Sequence, residues 1–152
     1  MKAVLQRVSE ARVVVDGHTV GEIAQGLLVL LCAERGDTEA VGQKMLDKIL
    51  KLRVFYDEAG KMNHSVTDVN GGLLVVSQFT LAAGTSSGNR PSFTQAASPV
   101  DGERLYDWLV QRARTLLPQV HTGQFGADMH VELINDGPVT IPMRIAPVAA
   151  VA

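Results

Sequence analysis

The sequence is poor in the features that mark secreted, disulfide-bonded or membrane proteins. Among its 152 residues there is one cysteine, Cys32, within the apolar run "LLVLLCA". A lone cysteine in such a run predicts a small buried side chain in a reducing compartment. The longest apolar run covers residues 27–33, far below the roughly 20 residues that a membrane-spanning helix needs. Polar residues interrupt the N-terminal stretch, so it does not resemble a signal peptide, and we expect a cytoplasmic protein without membrane contact.

The chain also lacks an excess of positive charge. Lys and Arg number 14 against 16 Asp and Glu, which gives a formal net charge of −2. Proteins that bind nucleic acid through bulk charge attraction cluster Lys and Arg, so the composition argues against that mode. Lys44, Lys48 and Lys51 recur at helical spacing, and they form either a solvated helix face or a local surface for phosphates.

The hydrophobic pattern predicts a single β-rich α+β domain of residues 1–145, followed by a C-terminal tail of residues 146–152. We expect mainly antiparallel, barrel-like sheets and two amphipathic helices. Asp16-Gly17 is typical of a hairpin turn, and "GLLVLLCA" and "GGLLVVSQFTL" are typical of strands covered on both faces. The helices are predicted from about Thr38 to Leu52 and from an N-cap at Ser98 to about Leu117. The other strands are expected in "AVLQRVSEARVVV", "RVFYDEAGKMN", "MHVELIN" and "VTIPMRI".

Several sequence motifs are poor candidates for catalytic chemistry. "GTSSG" matches the Gly-x-Ser-x-Gly pattern around Ser86, but that motif needs a preceding strand and a following helix, and here it lies in a polar loop. The four histidines show no metal-ligand spacing, and no phosphate-binding loop is present. We therefore expect no metal and no cofactor.

Two polar segments remain as candidates for a functional site. "SQFTL" lies where a buried strand becomes a loop, and it is either strand-end hydrogen bonding or a set of hydroxyl, amide and backbone N–H groups offered to a ligand. "NDGPVT" separates two strand-like runs, and by itself it is typical of a turn. Composition and spacing alone leave these alternatives open.

At these segments the sequence resembles the bacterial-type D-aminoacyl-tRNA deacylases. The resemblance covers residues 1–145, and "SQFTL" together with "NDGPVT" is highly specific to that family. Further matching segments, in the family's order, are "QRV", "GLLVLL", "GKMN", "LVVSQFTLAA", "RPSF", "ASP" and "LYD". The chain departs from the usual pattern at Pro142, in the small residues of "GTSSGNRPSF", and in the tail after Ile145.

The resemblance implies an enzyme that hydrolyses the ester between a D-amino acid and the terminal adenosine of tRNA. It implies a homodimer whose active site lies at the subunit interface, with D-aminoacyl-tRNA as the partner. The catalytic segment corresponds to Ser77, Gln78, Phe79 and Thr80. A Gly-cis-Pro motif corresponds to Gly137 and Pro138, which would reach into the partner's pocket, reject L substrates through main-chain carbonyls, and still accept mischarged glycyl-tRNA.

The resemblance leaves the chemical step open. The Phe79 backbone N–H is a candidate donor to the oxyanion, and Thr80 is either a nucleophile or a group that positions the ester with Gln78. We favour attack by water assisted by the 2′-OH of the terminal ribose. Arg7 is expected to support the Gly-Pro segment.

Two other classes of function compete with the deacylase. One is a non-catalytic module that binds the tRNA acceptor end, and the other is a hydrolase of free amino-acid esters or peptides.

Overall fold

The structure, a computed structural model, describes residues 1–148 and is a single α+β domain built on a curled, nearly closed sheet. The strands are β1 (Lys2–Val15), β2 (His18–Ile23), β3 (Gly26–Cys32), β4 (Phe55–Tyr56), β5 (Met62–His64), β6 (Gly72–Ser77), β7 (Val120–Thr122) and β8 (His130–Arg144). The helices are α1 (Glu39–Lys51) and α2 (Pro99–Leu116), with a 3₁₀ turn at Phe79–Ala82. The predicted boundary at residue 145 stays a prediction, and the end of the tail lies outside the described residues.

Strand β1 organises the sheet because it pairs with three other strands. Its first half runs antiparallel to β3, and its second half runs antiparallel to β2 beyond the Asp16-Gly17 turn. Along most of its length it also pairs antiparallel with β8. The two ends of β1 therefore fix two distant parts of the molecule relative to each other.

Strands β3, β6 and β7 are parallel, because each connection between them crosses over through a helix. Successive side chains of β3 alternate between two apolar layers: Leu27 and Val29 pack toward the helices, and Leu28 packs inside the curl of the sheet. Since both faces are covered, β3 and β6 are almost entirely apolar and buried, as their sequences predict.

The sheet curls until β2 lies against β7. A Cβ placed on Gly21 would lie 2.0 Å from the carbonyl oxygen of Thr122, so only glycine permits this approach of the two backbones. The approach brings the two edges of the sheet together and gives the fold its barrel-like form.

Both predicted helices are confirmed, as is the predicted N-cap at Ser98, and Thr38 proves to be the N-cap of α1. Thr38 Oγ1 accepts a hydrogen bond from the Val41 amide at the start of α1, and Ser98 Oγ accepts one from the Asp101 amide at the start of α2. The helices contact each other and cover one face of the sheet with the apolar stripes that their periodicity predicts.

The structure differs from the strand prediction in three places. "MHVELIN" and "VTIPMRI" belong to one long strand, β8, which continues through the Gly-Pro segment with shifts of register. The short strands β5 and β7 were not predicted as separate elements. Each has only three residues, which is too short to show a clear hydrophobic period.

A buried ionic cluster joins β1, the loop after β3 and the end of β8. The Met1 α-ammonium donates hydrogen bonds to Asp37 Oδ1 (3.0 Å), Glu34 Oε2 (3.4 Å) and the Ile145 carbonyl (2.7 Å). Arg144 Nη2 lies 3.0 Å from Glu34 Oε2. Burial opposes ionisation of Glu34, but the hydrogen bond from Arg144 and the Met1 ammonium outweigh it, so the pKa of Glu34 lies below its usual range.

We expect Glu34→Gln to lower the free energy of unfolding at pH 7 by about 1.5–3 kcal/mol, since it removes a hydrogen-bonded charge. The depressed pKa stabilises the fold above the unfolded-state pKa of about 4.3, and this stability is lost as the pH falls through the lower folded pKa. The difference between wild type and variant, measured by urea unfolding, should therefore shrink as the pH falls below about 4.3. Glu58→Gln, in an exposed turn, is the control, and a pH-independent deficit in Glu34→Gln would contradict the account.

Candidate active site

The candidate site is built where β6 ends. Ser77 is the last residue of the strand, Gln78 follows it, and the chain then turns through the 3₁₀ segment that starts at Phe79. The backbone N–H of Gln78 donates to the Leu31 carbonyl of β3 at 2.8 Å, which continues the parallel pairing for one residue beyond β6. This bond fixes the point at which the polar segment leaves the sheet.

Within this segment Gln78 and Thr80 form a pair. Gln78 Nε2 donates to Thr80 Oγ1 at 2.6 Å, and no imidazole or carboxylate of residues 1–148 hydrogen-bonds to that hydroxyl. The first N–H groups of a short helical turn have no partner within the turn. Phe79 is therefore placed to offer its backbone amide from an exposed position.

These residues form part of the wall of a cavity of about 580 Å³. The Phe79 ring is 58% exposed and meets the Phe93 ring edge-on, with centroids 5.1 Å apart. Other wall residues come from the N-terminal part of α2 and from the loop before β8; they include Pro99, Gly102, Tyr106, Phe125 and Met129. The cavity thus combines one polar edge with a mostly apolar wall, which suits a ligand that has both polar and apolar parts.

Two titratable groups in the cavity wall remain protonated near neutral pH. Burial raises the pKa of Tyr106 to about 12, and its hydroxyl donates to the Val75 carbonyl at 2.7 Å. Burial, followed by the charge of Glu34, raises the pKa of the Cys32 thiol. Neither group is a ready base or nucleophile.

The Gly-Pro segment forms an exposed turn in the middle of β8. The peptide bond between Gly137 and Pro138 is cis, and Gly137 has a φ of 145°. Asn135 holds the turn closed, because its Oδ1 accepts from the Val139 amide at 2.8 Å and its Nδ2 donates to Gln6 Oε1 at 2.8 Å. Val139 is buried, whereas Gly137 and Pro138 face outward.

Arg7 lies beneath this turn and is only 2% exposed. Its Nε donates to the Asp136 carbonyl at 2.8 Å, and its Nη1 donates to the Val54 carbonyl at 2.7 Å. The Tyr56 ring covers the guanidinium, with 4.4 Å between the Arg7 Cζ and the ring centroid. Arg7 therefore ties the turn to the segment around β4.

In one chain the Gly-Pro turn and the polar segment lie at opposite ends of β3. Arg7 is opposite Leu27, and Ser77 is opposite Leu31. At about 3.3 Å per residue these positions are about 13 Å apart along the strand. The cavity wall accordingly contains Ser77, Gln78, Phe79 and Thr80 but not Arg7, Gly137 or Pro138.

The structure thus groups the predicted site residues into two sets and adds others. Phe93 was within a family segment, "RPSF", but was not predicted as a site residue, and Tyr56 gave no sequence signal. Ser86 lies in an exposed loop that is not preceded by a strand. Lys44, Lys48 and Lys51 are exposed on α1.

The part of the chain that the structure describes contains neither a cluster of metal-binding side chains nor a helix that could span a membrane. Across residues 1–148 no three His, Cys, Asp or Glu side chains are grouped so as to hold a metal ion. Neither helix in that range has the length and hydrophobicity that crossing a membrane requires.

Comparison with known proteins assigns the chain to a family. The family model described as "D-Tyr-tRNA(Tyr) deacylase" matches residues 4–144. A D-aminoacyl-tRNA deacylase of Paracidovorax citrulli is 69% identical over 147 residues, covering 97% of this chain and 95% of the relative. One of Polaromonas naphthalenivorans is 70% identical over 152 residues, covering 97% and 99%.

Solved structures agree on the fold. A protein described as c-Myc DNA Unwinding Element Binding Protein superposes with a TM-score of 0.92 at 41% identity, covering 96% of this chain and 99% of that one. A structure described as a probable eukaryotic D-amino acid tRNA deacylase superposes with a TM-score of 0.80 at 17% identity, covering 95% and 98%. The second likeness concerns the fold alone.

The family model and the relatives, which match over nearly the whole chain, identify this α+β domain as an enzyme that hydrolyses aminoacyl esters. Within that class, the chain belongs to the D-aminoacyl-tRNA deacylase family.

We expect Gly137→Ala to destabilise the turn more than an alanine at another glycine of positive φ. A Cβ on Gly137 would lie 2.7 Å from Val139 Cγ2 and 3.1 Å from Arg7 Nη2. A side chain at this φ costs roughly 1–3 kcal/mol in strain before any clash. Gly126→Ala is the matched control, because its φ is +77° but no atom lies within 4 Å of the added Cβ. Urea unfolding that shows equal losses for both variants would contradict the tight fit at Gly137.

Proposed function

We propose that this chain hydrolyses the ester bond of D-aminoacyl-tRNA and releases a free D-amino acid and tRNA. Water adds to the ester carbonyl carbon, the bond from that carbon to the ribose oxygen breaks, and the ribose oxygen takes up a proton. The observation that carries the proposal is the placement of Ser77, Gln78, Phe79 and Thr80 together along one edge of a single cavity, in a chain of this family. The setting would be translation quality control in the cytoplasm.

The exposed amide at the start of the 3₁₀ turn supports a role in stabilising the oxyanion. The carbonyl oxygen gains negative charge as water adds, and a fixed N–H donor stabilises that charge without reorganising. Phe79 is the candidate donor, and the Phe79–Phe93 pair offers an apolar surface next to it for the terminal base of the tRNA.

The environment of Thr80 favours the RNA-assisted route over a protein nucleophile. Its Oγ1 accepts a hydrogen bond from the side-chain amide of Gln78. An amide cannot take up a proton as a general base does. The 2′-OH of the terminal ribose would instead assist the attack of water, with Thr80 and Gln78 positioning the ester.

The distance between the two sets of site residues supports a homodimer with a composite site. Because Gly137 and Pro138 lie at the other end of the sheet from Thr80, they would meet a substrate only by entering the cavity of a second copy. Their exposure on the outer side of β8 is compatible with that arrangement. Arg7 supports the turn from below.

In this arrangement the main-chain oxygens of Gly137 and Pro138 would select chirality. They would accept hydrogen bonds from the substrate's α-ammonium group and occupy the space that an L side chain needs. A D side chain would point away, so many D-amino acids would fit. Glycine has no side chain to exclude, and mischarged glycyl-tRNA would be a second substrate.

The competing function is a module that binds the tRNA acceptor end without cleaving the ester. The observation that favours it is the 41% identical relative described as a DNA-binding protein. Lys44, Lys48 and Lys51 would serve as phosphate contacts in either case.

We expect D-tyrosyl-tRNA to be hydrolysed by the purified protein while L-tyrosyl-tRNA persists, because only the L side chain meets the main-chain oxygens. Release of radiolabelled tyrosine measures both rates, and light scattering on the same preparation should give the mass of a dimer. Binding of either tRNA without cleavage above the uncatalysed rate would instead establish the binding module. Equal rates of cleavage of D-tyrosyl-tRNA and L-tyrosyl-tRNA would contradict the proposed selection of D substrates by the Gly137 and Pro138 oxygens.

The roles of Thr80 and the ribose can be separated by one comparison. We expect Thr80→Ala to lose up to about 10²-fold in rate, as a misplaced ester would, but to retain measurable activity. We expect wild-type protein to hydrolyse D-tyrosyl-tRNA that ends in 2′-deoxyadenosine more slowly than Thr80→Ala hydrolyses the normal substrate. Single-turnover rates that are zero for Thr80→Ala and normal for the 2′-deoxy substrate would establish Thr80 as the nucleophile.

A further inference from the structure

The Tyr56 ring lies against the least satisfied charged group in the described part of the chain. Arg7 Nη2 is buried and has no hydrogen-bond partner within residues 1–148, although the other two nitrogens of the guanidinium each donate to a carbonyl. The aromatic ring covers the guanidinium plane with 4.4 Å from Cζ to the centroid, a distance at which the ring's negative face attracts a cation.

This contact is a second link between the β4 segment and the Gly-Pro turn. The Val54 carbonyl accepts a hydrogen bond from Arg7 Nη1. Two residues later, the Tyr56 ring contacts the same guanidinium from the solvent-exposed side. The Asp136 carboxylate adds little, because its Oδ2 is 3.9 Å from Arg7 Nε and its side chain is 58% exposed. The ring is therefore the group that covers the guanidinium on the side facing solvent.

We propose that Tyr56 is a positioning residue for chiral selection: its ring fixes the Arg7 guanidinium, and through it the Gly137-Pro138 turn. The turn lies close against the guanidinium: a Cβ added at Gly137 would be 3.1 Å from Arg7 Nη2, and Arg7 Nε donates to the Asp136 carbonyl. A shift of the guanidinium is transmitted to the turn whose oxygens exclude the L side chain. The effect on chiral selection rests on the proposed function. The contact between Tyr56 and Arg7 is independent of that function.

The chain offers matched substitutions that separate the ring from its hydroxyl and from its bulk. The Tyr56 hydroxyl makes no hydrogen bond within residues 1–148, so Tyr56→Phe keeps the aromatic ring over the Arg7 guanidinium and loses only the hydroxyl. Tyr56→Leu keeps an apolar cover but removes the aromatic face. Because Tyr56 is 56% exposed, we expect both variants to fold.

We expect Tyr56→Leu to lower the ratio of the D-tyrosyl-tRNA rate to the L-tyrosyl-tRNA rate by about tenfold, while Tyr56→Phe leaves the ratio unchanged. The rates are kcat/KM values measured on both substrates with the full-length protein. A loss of general stability would slow both substrates alike and leave the ratio intact. An unchanged ratio in Tyr56→Leu overturns the proposal.

A second measurement does not depend on catalysis. The Arg7 Nε–H signal in ¹H–¹⁵N NMR should exchange slowly with solvent in wild type and Tyr56→Phe, and about tenfold faster in Tyr56→Leu, since the guanidinium loses the aromatic face that fixes its position. If wild-type protein cleaves neither tRNA, the proposed function fails while the exchange rates still test the contact. Equal exchange in Tyr56→Leu and Tyr56→Phe overturns the positioning role.

Discussion

The pairing of β1 with three strands is the constraint on which both candidate site regions depend. At one end, Met1 joins the buried carboxylates of Glu34 and Asp37 beside the cavity. At the other, Arg7 supports the Gly-Pro turn. Because β1 also sets the register of β3, and β3 sets that of β6, the distance between the turn and the polar strand end follows from hydrogen bonding in the sheet.

In the proposed function, main-chain atoms would carry most of the chemistry of the site. The strand end would supply an amide at Phe79, and the turn would supply carbonyl oxygens at Gly137 and Pro138. The side chains nearby hold these atoms in place: Asn135 closes the turn, Arg7 supports it, and Gln78 orients the Thr80 hydroxyl. Backbone groups have the same chemistry at every position, so their usefulness here depends entirely on how firmly they are held.

The features that could be predicted from the sequence are those encoded locally. The apolar run of β3, the amphipathic stripe of α1 and the cap at Ser98 each depend on residues within a few positions of one another, and all are found in the structure. The resemblance of "SQFTL" and "NDGPVT" to one family indicated where to look for the site.

Other features depend on contacts between segments far apart in sequence. The Tyr56–Arg7 contact joins two residues through a fold that neither encodes alone, and Phe93 meets Phe79 only because the intervening loop returns to the strand end. The continuity of β8 through Gly137 was missed because Gly-Pro normally ends a strand, whereas here β1 continues the pairing on both sides of it.

The two prolines of β8 also bear on how the molecule avoids polymerising. Within residues 1–148 β8 pairs with β1 alone, so its other edge carries unpaired backbone groups of the kind that recruit further strands. Pro138 and Pro142 have no amide hydrogen, and the register of the β1–β8 pairing shifts on both sides of Asn135, which interrupts the ladder beside Pro138. A strand arriving at that edge would find no uninterrupted row of donors, which guards a long exposed strand against fibril growth.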